Sequence, residues 1–136
     1  MPGYLLDADV VHAARKGKQA PAGVQAWFER VAPEERYLPV QVVAQWRAGI
    51  GQLWRRGASM EALAMESWLE AVLRDYAARL LEFDLDCALV WSRLPQYGSA
   101  IDGQIAAMGI AHGLTVVSGR LERYAKTGLR LENPFS

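Results

Sequence analysis

The sequence predicts an α/β domain in three α/β/α layers, with a short parallel sheet, helices on both faces and a helical hairpin. Three observations carry that expectation. Short strand-like runs alternate with stretches whose apolar residues recur at helical spacing. The first such run, Tyr4-Leu5-Leu6, ends in Asp7, a common way to place a carboxylate at the carboxyl edge of a parallel sheet, where open α/β folds bind ligands. A second acid, Asp102, opens a helical run to His112 that leads straight into another strand-like run, Leu114 to Val117. That order can bring both acids to one edge.

Each element has its own signal. After the first strand, Val10 to Arg15 reads as a short helix ended by Lys16-Gly17-Lys18. Beyond Pro21, the spacing of Val24, Trp27, Phe28 and Val31 turns one helix face inward. Pro33 to Arg36 forms a turn, and Tyr37-Leu38-Pro39-Val40 is the second strand, its proline near the end where a missing N–H donor is tolerated. Val43, Trp46, Ile50 and Leu53 stripe a helix that stops at Arg55-Arg56-Gly57. Ser59 then caps a second helix with Ala62, Leu63, Trp68, Leu69, Val72 and Leu73 as its apolar positions. The two helices make the hairpin, and Trp46, Trp54 and Trp68 are expected in its core.

Leu80-Leu81-Glu82-Phe83 is the third strand, and Asp84 caps a helix running through Ala88, Leu89 and Trp91 to Leu94. Pro95 to Ser99 breaks the chain. The helix from about Ile101 to His112 ends at Gly113, where a glycine suits a left-handed C-terminal cap, and Thr115-Val116-Val117 is the fourth strand. A weak turn or helix follows, then an edge strand at Leu129 to Leu131. No repeat, low-complexity tract or linker interrupts residues 1–136, which read as a single domain.

Composition narrows the function classes. With 51% hydrophobic residues, the 136-residue chain can bury one sizeable core. Fifteen basic and fifteen acidic residues cancel, which argues against a generic, strongly basic nucleic-acid binder but not against a local basic patch. No apolar run reaches membrane-span length and no signal-peptide pattern opens the chain, so a cytoplasmic protein with no membrane partner is expected. The single Cys87 excludes an internal disulfide and a cysteine metal cluster, and reads as a small core residue. His12 and His112 stand in no metal-ligand spacing, and His112 suits the negative end of its helix dipole.

Six phrases in order now point to a family. They are Leu5-Leu6-Asp7-Ala8-Asp9-Val10; Tyr37 to Val40 with the following Arg47-Ala48-Gly49-Ile50; Leu80 to Asp84; Asp102-Gly103-Gln104-Ile105-Ala106-Ala107; Ala111 to Val117; and Asn133-Pro134-Phe135. Together they span nearly the whole chain, which resembles PIN-domain proteins of the VapC and FitB type. The resemblance implies a magnesium- or manganese-dependent endoribonuclease, often the toxin of a toxin–antitoxin pair. It also implies a homodimer, neutralised by the tail of a small DNA-binding antitoxin.

In that family three or four carboxylates gather at one end of the sheet to hold hard divalent cations through oxygen. By resemblance, Asp7 matches the first acid and Asp102 the third. Asp9 stands where the family has Asn, and either adds a metal-binding carboxylate or caps the helix after it. Gln45 stands where the family has a Glu, keeping a carbonyl oxygen without the charge. After the fourth strand, Ser118 keeps the family's hydroxyl, but Arg120 and Arg123 replace acidic or amide positions. Ser118, Arg120 and Arg123 are then candidates for substrate contact.

The charge reversal is large. A guanidinium about 5 Å from a divalent ion at an effective dielectric near 20 opposes it by roughly 6–7 kcal/mol before solvent and side-chain movement relieve it. Glu122 could restore an acid if the loop shifts register. Two readings stay open: a working nuclease with an eroded site built on Asp7, Asp102, Asp9 and Gln45, with weakened metal binding, or an inactive domain that keeps its dimer and its antitoxin- or RNA-binding surface, with Arg120 or Arg123 standing in for the metal.

Overall fold

The computed structural model describes residues 3–95 and 99–135, so the chain break expected at Pro95 to Ser99 lies partly outside them. Five parallel strands form one sheet in the order β3-β2-β1-β4-β5. They are β1 (Tyr4–Leu6), β2 (Arg36–Pro39), β3 (Leu80–Leu81), β4 (Thr115–Val117) and β5 (Leu131–Glu132). The third strand is two residues shorter than the apolar run Leu80 to Phe83, and the last sits later than its pattern suggests.

The central strand explains its own composition. β1 pairs on both sides, Leu5 standing beside Tyr37 of β2 and Val116 of β4. Leu5 and Leu6 are consequently fully buried. A strand covered on both faces reads as an unbroken apolar run. Pro39 closes β2, where its lack of an N–H breaks no later ladder bond.

Between β1 and β2 run α1 (Ala8–Ala14) and α2 (Ala22–Arg30), and between β2 and β3 run α3 (Val40–Arg55) and α4 (Ser59–Asp75). α3 and α4 pack as the expected hairpin, and α1 packs on α3. The chain then reverses direction across the sheet. α5 (Leu85–Trp91) and α6 (Ala100–His112) carry it from β3 to β4 on the other side of β1. Right-handed crossovers that run in opposite directions put their helices on opposite faces. Consistently, α5 and α6 pack extensively on each other.

Several local expectations need correction. Ser59 is the first helical residue of α4 rather than its cap; Ala58 takes that position and no side chain caps it. Along α3 the fully buried valine is Val42, not Val43, because the inward face is set by Val42, Trp46 and Ile50 together. Trp54 is not core: it is 41% exposed and its indole N–H donates to Glu66 Oε2 at 3.3 Å. Leu63 is likewise exposed, while Trp68 packs edge-on against Trp46 with ring centroids 4.8 Å apart. Asp84 does cap α5, accepting from the Cys87 N–H at 3.1 Å.

α6 is the helix that serves the site most directly. Ser99 caps it through its hydroxyl, which accepts from the Asp102 N–H. Asp102, Ile105, Ala106, Ala107, Met108 and Gly109 are all buried, as expected of a helix wedged between a sheet and a neighbour. Gly113 ends it with φ of +65°, a left-handed conformation that a side chain would strain. No helix among the described residues is long and apolar enough to cross a membrane.

Candidate active site

The reversal of strand order between β1 and β4 opens a crevice at their carboxyl ends, the place where ligands bind in open α/β sheets. Asp7 follows β1 directly. Its N–H continues the sheet ladder to the Val117 carbonyl at 2.9 Å, so its position is fixed by the sheet itself. Its side chain is then held by three donors. Oδ1 accepts from the Ala8 N–H at 2.8 Å, making Asp7 the cap of α1. Oδ2 accepts from the Ser118 hydroxyl at 2.9 Å and the Tyr124 hydroxyl at 2.8 Å.

Capping by Asp7 overturns one alternative for Asp9, which lies within the first turn of α1 and does not take the cap position. Asp9 reaches instead across to the loop after β4, where Oδ2 accepts from the Gly119 N–H at 2.9 Å. A Cβ at Gly119 would lie 2.8 Å from that oxygen and from the Phe135 ring, so only glycine fits under both. The other Asp9 oxygen, Oδ1, is buried and has no hydrogen-bond partner among the described residues. Burial, then the neighbouring Asp7 charge, raises the Asp9 pKa above the ordinary aspartate range; bonds from Gly119 and Val10 and the charge of Arg120 pull partly against this.

Around these acids the structure gathers a cleft of about 480 Å³ lined by Asp7, Asp9, Gln45 and Trp46, with Lys16, Arg120 and Arg123 as its cations. Asp102 approaches from α6. Its Oδ1 lies 3.7 Å from Arg123 Nη1, and with Asp7 and Asp9 it acts electrostatically on the Tyr124 hydroxyl. Burial first, then Asp7, keeps that phenol protonated well above its usual range. It therefore serves as a fixed donor. Glu122 is exposed on the short 3-10 turn Leu121–Tyr124, while Arg120 and Arg123 on either side of it line the cleft.

Ser118 is fully buried, and its hydroxyl both donates to Asp7 and accepts from the Arg120 N–H at 3.0 Å. It positions the acid and the start of the arginine loop rather than facing the cleft. Tyr124 is a site residue that the sequence does not reveal. Its only signal is an aromatic with a hydroxyl in the segment after β4, and nothing local shows that its oxygen returns to a residue 117 positions earlier.

No protein-family model matches the sequence. Among curated proteins, the VapC ribonuclease Y4jK of Sinorhizobium fredii is 31% identical over 139 residues, covering 96% of each chain. The toxin FitB of Neisseria gonorrhoeae is 27% identical over 138 residues, covering 96% of this chain and 97% of the toxin. The crystal structure of FitAcB from Neisseria gonorrhoeae superposes with a TM-score of 0.84 at 26% identity, covering 97% of this chain and 98% of that one.

The chain belongs to the VapC/FitB family of PIN-domain proteins.

The five-stranded parallel sheet with six helices is the architecture of that fold. In this PIN domain two arginines and a glutamine stand beside the acids.

Two consequences can be measured. Tyr124→Phe removes one of the two hydroxyls on Asp7 Oδ2 without opening a cavity. A hydrogen bond to a charged group is worth roughly 1.5–3 kcal/mol, and urea denaturation should show a loss of that size. Asp9→Asn keeps an acceptor for Gly119 and removes the buried charge. Because the folded pKa is raised, the acid form is favoured by folding, and that contribution is lost as pH rises from the ordinary aspartate range through the folded value. In metal-free buffer Asp9→Asn should therefore raise the melting temperature at neutral pH, with the gain vanishing at strongly acid pH. An equal shift at both would refute the electrostatic account.

Proposed function

We propose that this protein is a ribonuclease toxin of a toxin–antitoxin pair whose metal site is weakened by its own arginines. The observation that carries the proposal is the convergence of Asp7, Asp9 and Gln45 with Arg120 and Arg123 in one cleft at the switch point of the sheet, with Arg123 set against Asp102. The relative named a VapC ribonuclease supports RNA as the substrate.

The side chains fit a hard divalent cation of the Mg²⁺ or Mn²⁺ class. All four candidate donors, Asp7, Asp9, Gln45 and Asp102, offer oxygen, as such ions require. Asp9 Oδ1 is a buried acceptor without a partner among the described residues, which is the state a cation would relieve. When bound, such an ion supplies an activated water and offsets charge on the phosphodiester. The chain's own residues do the rest. Ser118 and Tyr124 hold Asp7 rigidly, and Gly119 holds Asp9. Arg120 and Arg123 can grip a phosphate bidentately, as guanidinium forks do.

The same arginines favour a second reading. At 3.7 Å, Arg123 already offsets the Asp102 charge, which makes an inactive domain that keeps its binding surfaces self-consistent without a metal. The two readings separate in one set of experiments. Isothermal titration should show weak, millimolar Mg²⁺ and Mn²⁺ binding. Arg123→Gln should tighten it, Gln45→Glu should also tighten it, and the double variant should gain more than either, since the sites share one ion. Cleavage of a structured RNA should require metal and disappear in Asp7→Asn. Cleavage that survives Asp7→Asn would refute the nuclease assignment; no cleavage even by the double variant would leave the inactive reading standing.

Partners follow from the exposed apolar surface. A cavity of about 380 Å³ adjoins the acid cleft, sharing His12, Gln45 and Trp46 with it, and continues over Ile50, Leu53 and Met65 between Arg15 and Arg56. An amphipathic antitoxin segment carrying acidic residues suits this groove, and lying there it would reach the cleft. Leu85, Leu89 and Ile110 form exposed apolar positions on the packed α5 and α6 pair, suited to a second copy of the chain. Sedimentation should give a homodimer at micromolar concentration, and a larger complex when the adjacent small reading frame is co-expressed. A stable monomer would refute the dimer.

A further inference from the structure

A second cluster of ligating side chains lies at the opposite end of α6 from the acid cleft. Asp102 is near the start of that helix and His112 is its last residue, so at ~1.5 Å rise per residue the two are about 15 Å apart along the axis. His112 Nε2 lies 3.7 Å from Cys87 Sγ and 3.9 Å from Asp84 Oδ2. One ligand atom from each of Asp84, Cys87 and His112 falls within 4.8 Å of the others. Neither Cys87 nor His112 has a ligand spacing of its own in the sequence; the contact arises only when α5 docks on α6.

Two of the three separations lie near those of a tetrahedral ion. Tetrahedral zinc, with bonds of about 2.3 Å to sulfur and about 2.0–2.1 Å to nitrogen or oxygen, requires ligand separations of about 3.3–3.6 Å. His112 Nε2 has at most about 0.6 Å to close toward each of its two neighbours, and the exposed Asp84 carboxylate, within 4.8 Å of the sulfur, turns toward it to close the third side. The donors are also selective, since sulfur and imidazole favour a zinc-class ion over Mg²⁺, the reverse of the all-oxygen cleft. The carboxylate is already oriented as a ligand. Asp84 Oδ1 is fixed by the Cys87 N–H as the helix cap, leaving Oδ2 toward His112. Cys87 is fully buried, whereas the His112 and Asp84 side chains are 34% and 51% exposed, so an ion approaches from their side.

We infer that Asp84, Cys87 and His112 bind a zinc-class divalent cation that clips α5 to α6. Three protein ligands leave a fourth position for water on the exposed side. The thiolate is the ligand form of cysteine, so binding releases the Cys87 proton to solvent. The site is independent of the nuclease reading.

Cobalt titration of the full chain, stripped with chelator, tests this directly. Co²⁺ should give a thiolate-to-cobalt charge-transfer band that saturates at one equivalent and is displaced by Zn²⁺. The band should be absent in Cys87→Ser and persist in Asp7→Asn, since carboxylates alone produce none. His112→Ala should weaken binding by at least about 100-fold, the upper end of what even an outer-shell change costs. Zn²⁺ should also raise the melting temperature of the unmodified chain and not that of His112→Ala. His112 and Asp84 are exposed, so their variants remain informative if Cys87→Ser does not fold. A folded chain without the band, or a band that His112→Ala leaves unchanged, would overturn the inference.

Discussion

The Asp7 carboxylate, held by three donors at the reversal point of the sheet, is the constraint on which the rest of the structure depends. Its ladder bond joins it to β4, its side chain starts α1, and its second oxygen draws in Ser118 and Tyr124 from the segment after β4. A buried carboxylate is tolerable only when its oxygens are matched by donors. Satisfying it therefore ties the first strand to the last third of the chain. Tyr124 is fully buried, so the loop that carries Arg120 and Arg123 is anchored at Ser118 on one side and Tyr124 on the other. The arginines are delivered to the cleft because Asp7 needs its hydroxyls.

That dependence explains what could and could not be read from the chain. Strand positions were legible because the last two residues of β1, β2 and β4 are buried and apolar. The hairpin was legible from helical periodicity. Ser59 and Trp54 misled for a shared reason: residue type gives a propensity, and tertiary placement decides whether it is used. Ser59 sits one step inside its helix, and Trp54 lies one turn beyond the last point where α3 faces the core. The candidate acids were visible because each adjoins a strong element signal. Their partners were not, since hydrogen bonds from Tyr124 to Asp7 and from Gly119 to Asp9 join positions more than a hundred residues apart.

Charge balance within the cleft is the second organising fact. Asp7 and Asp9 line the cleft while Asp102 meets one of its arginines, and burial with the neighbouring Asp7 charge raises the Asp9 pKa. In this chain the compensation is built in covalently, with Lys16, Arg120 and Arg123 lining the same space. A tethered guanidinium differs from a free cation in one respect that matters for binding. Any ion entering the cleft must displace or coexist with it, so its affinity is reduced by the strength of the existing pairing. Arg123 is 39% exposed at its side chain, and an exposed pair is weak enough to open.

α6 carries unlike donor groups at its two ends. Near its amino end, Asp102 meets an arginine; at its carboxyl end, His112 meets sulfur. What separates them is the buried middle of the helix, Ile105 to Gly109, which packs on the sheet. An ion holding α5 against the far end of α6 would stiffen the helix that presents Asp102. At Gly109 a Cβ would lie 3.0 Å from Val116 and Leu129, so the glycine is what lets the helix sit this close to β4.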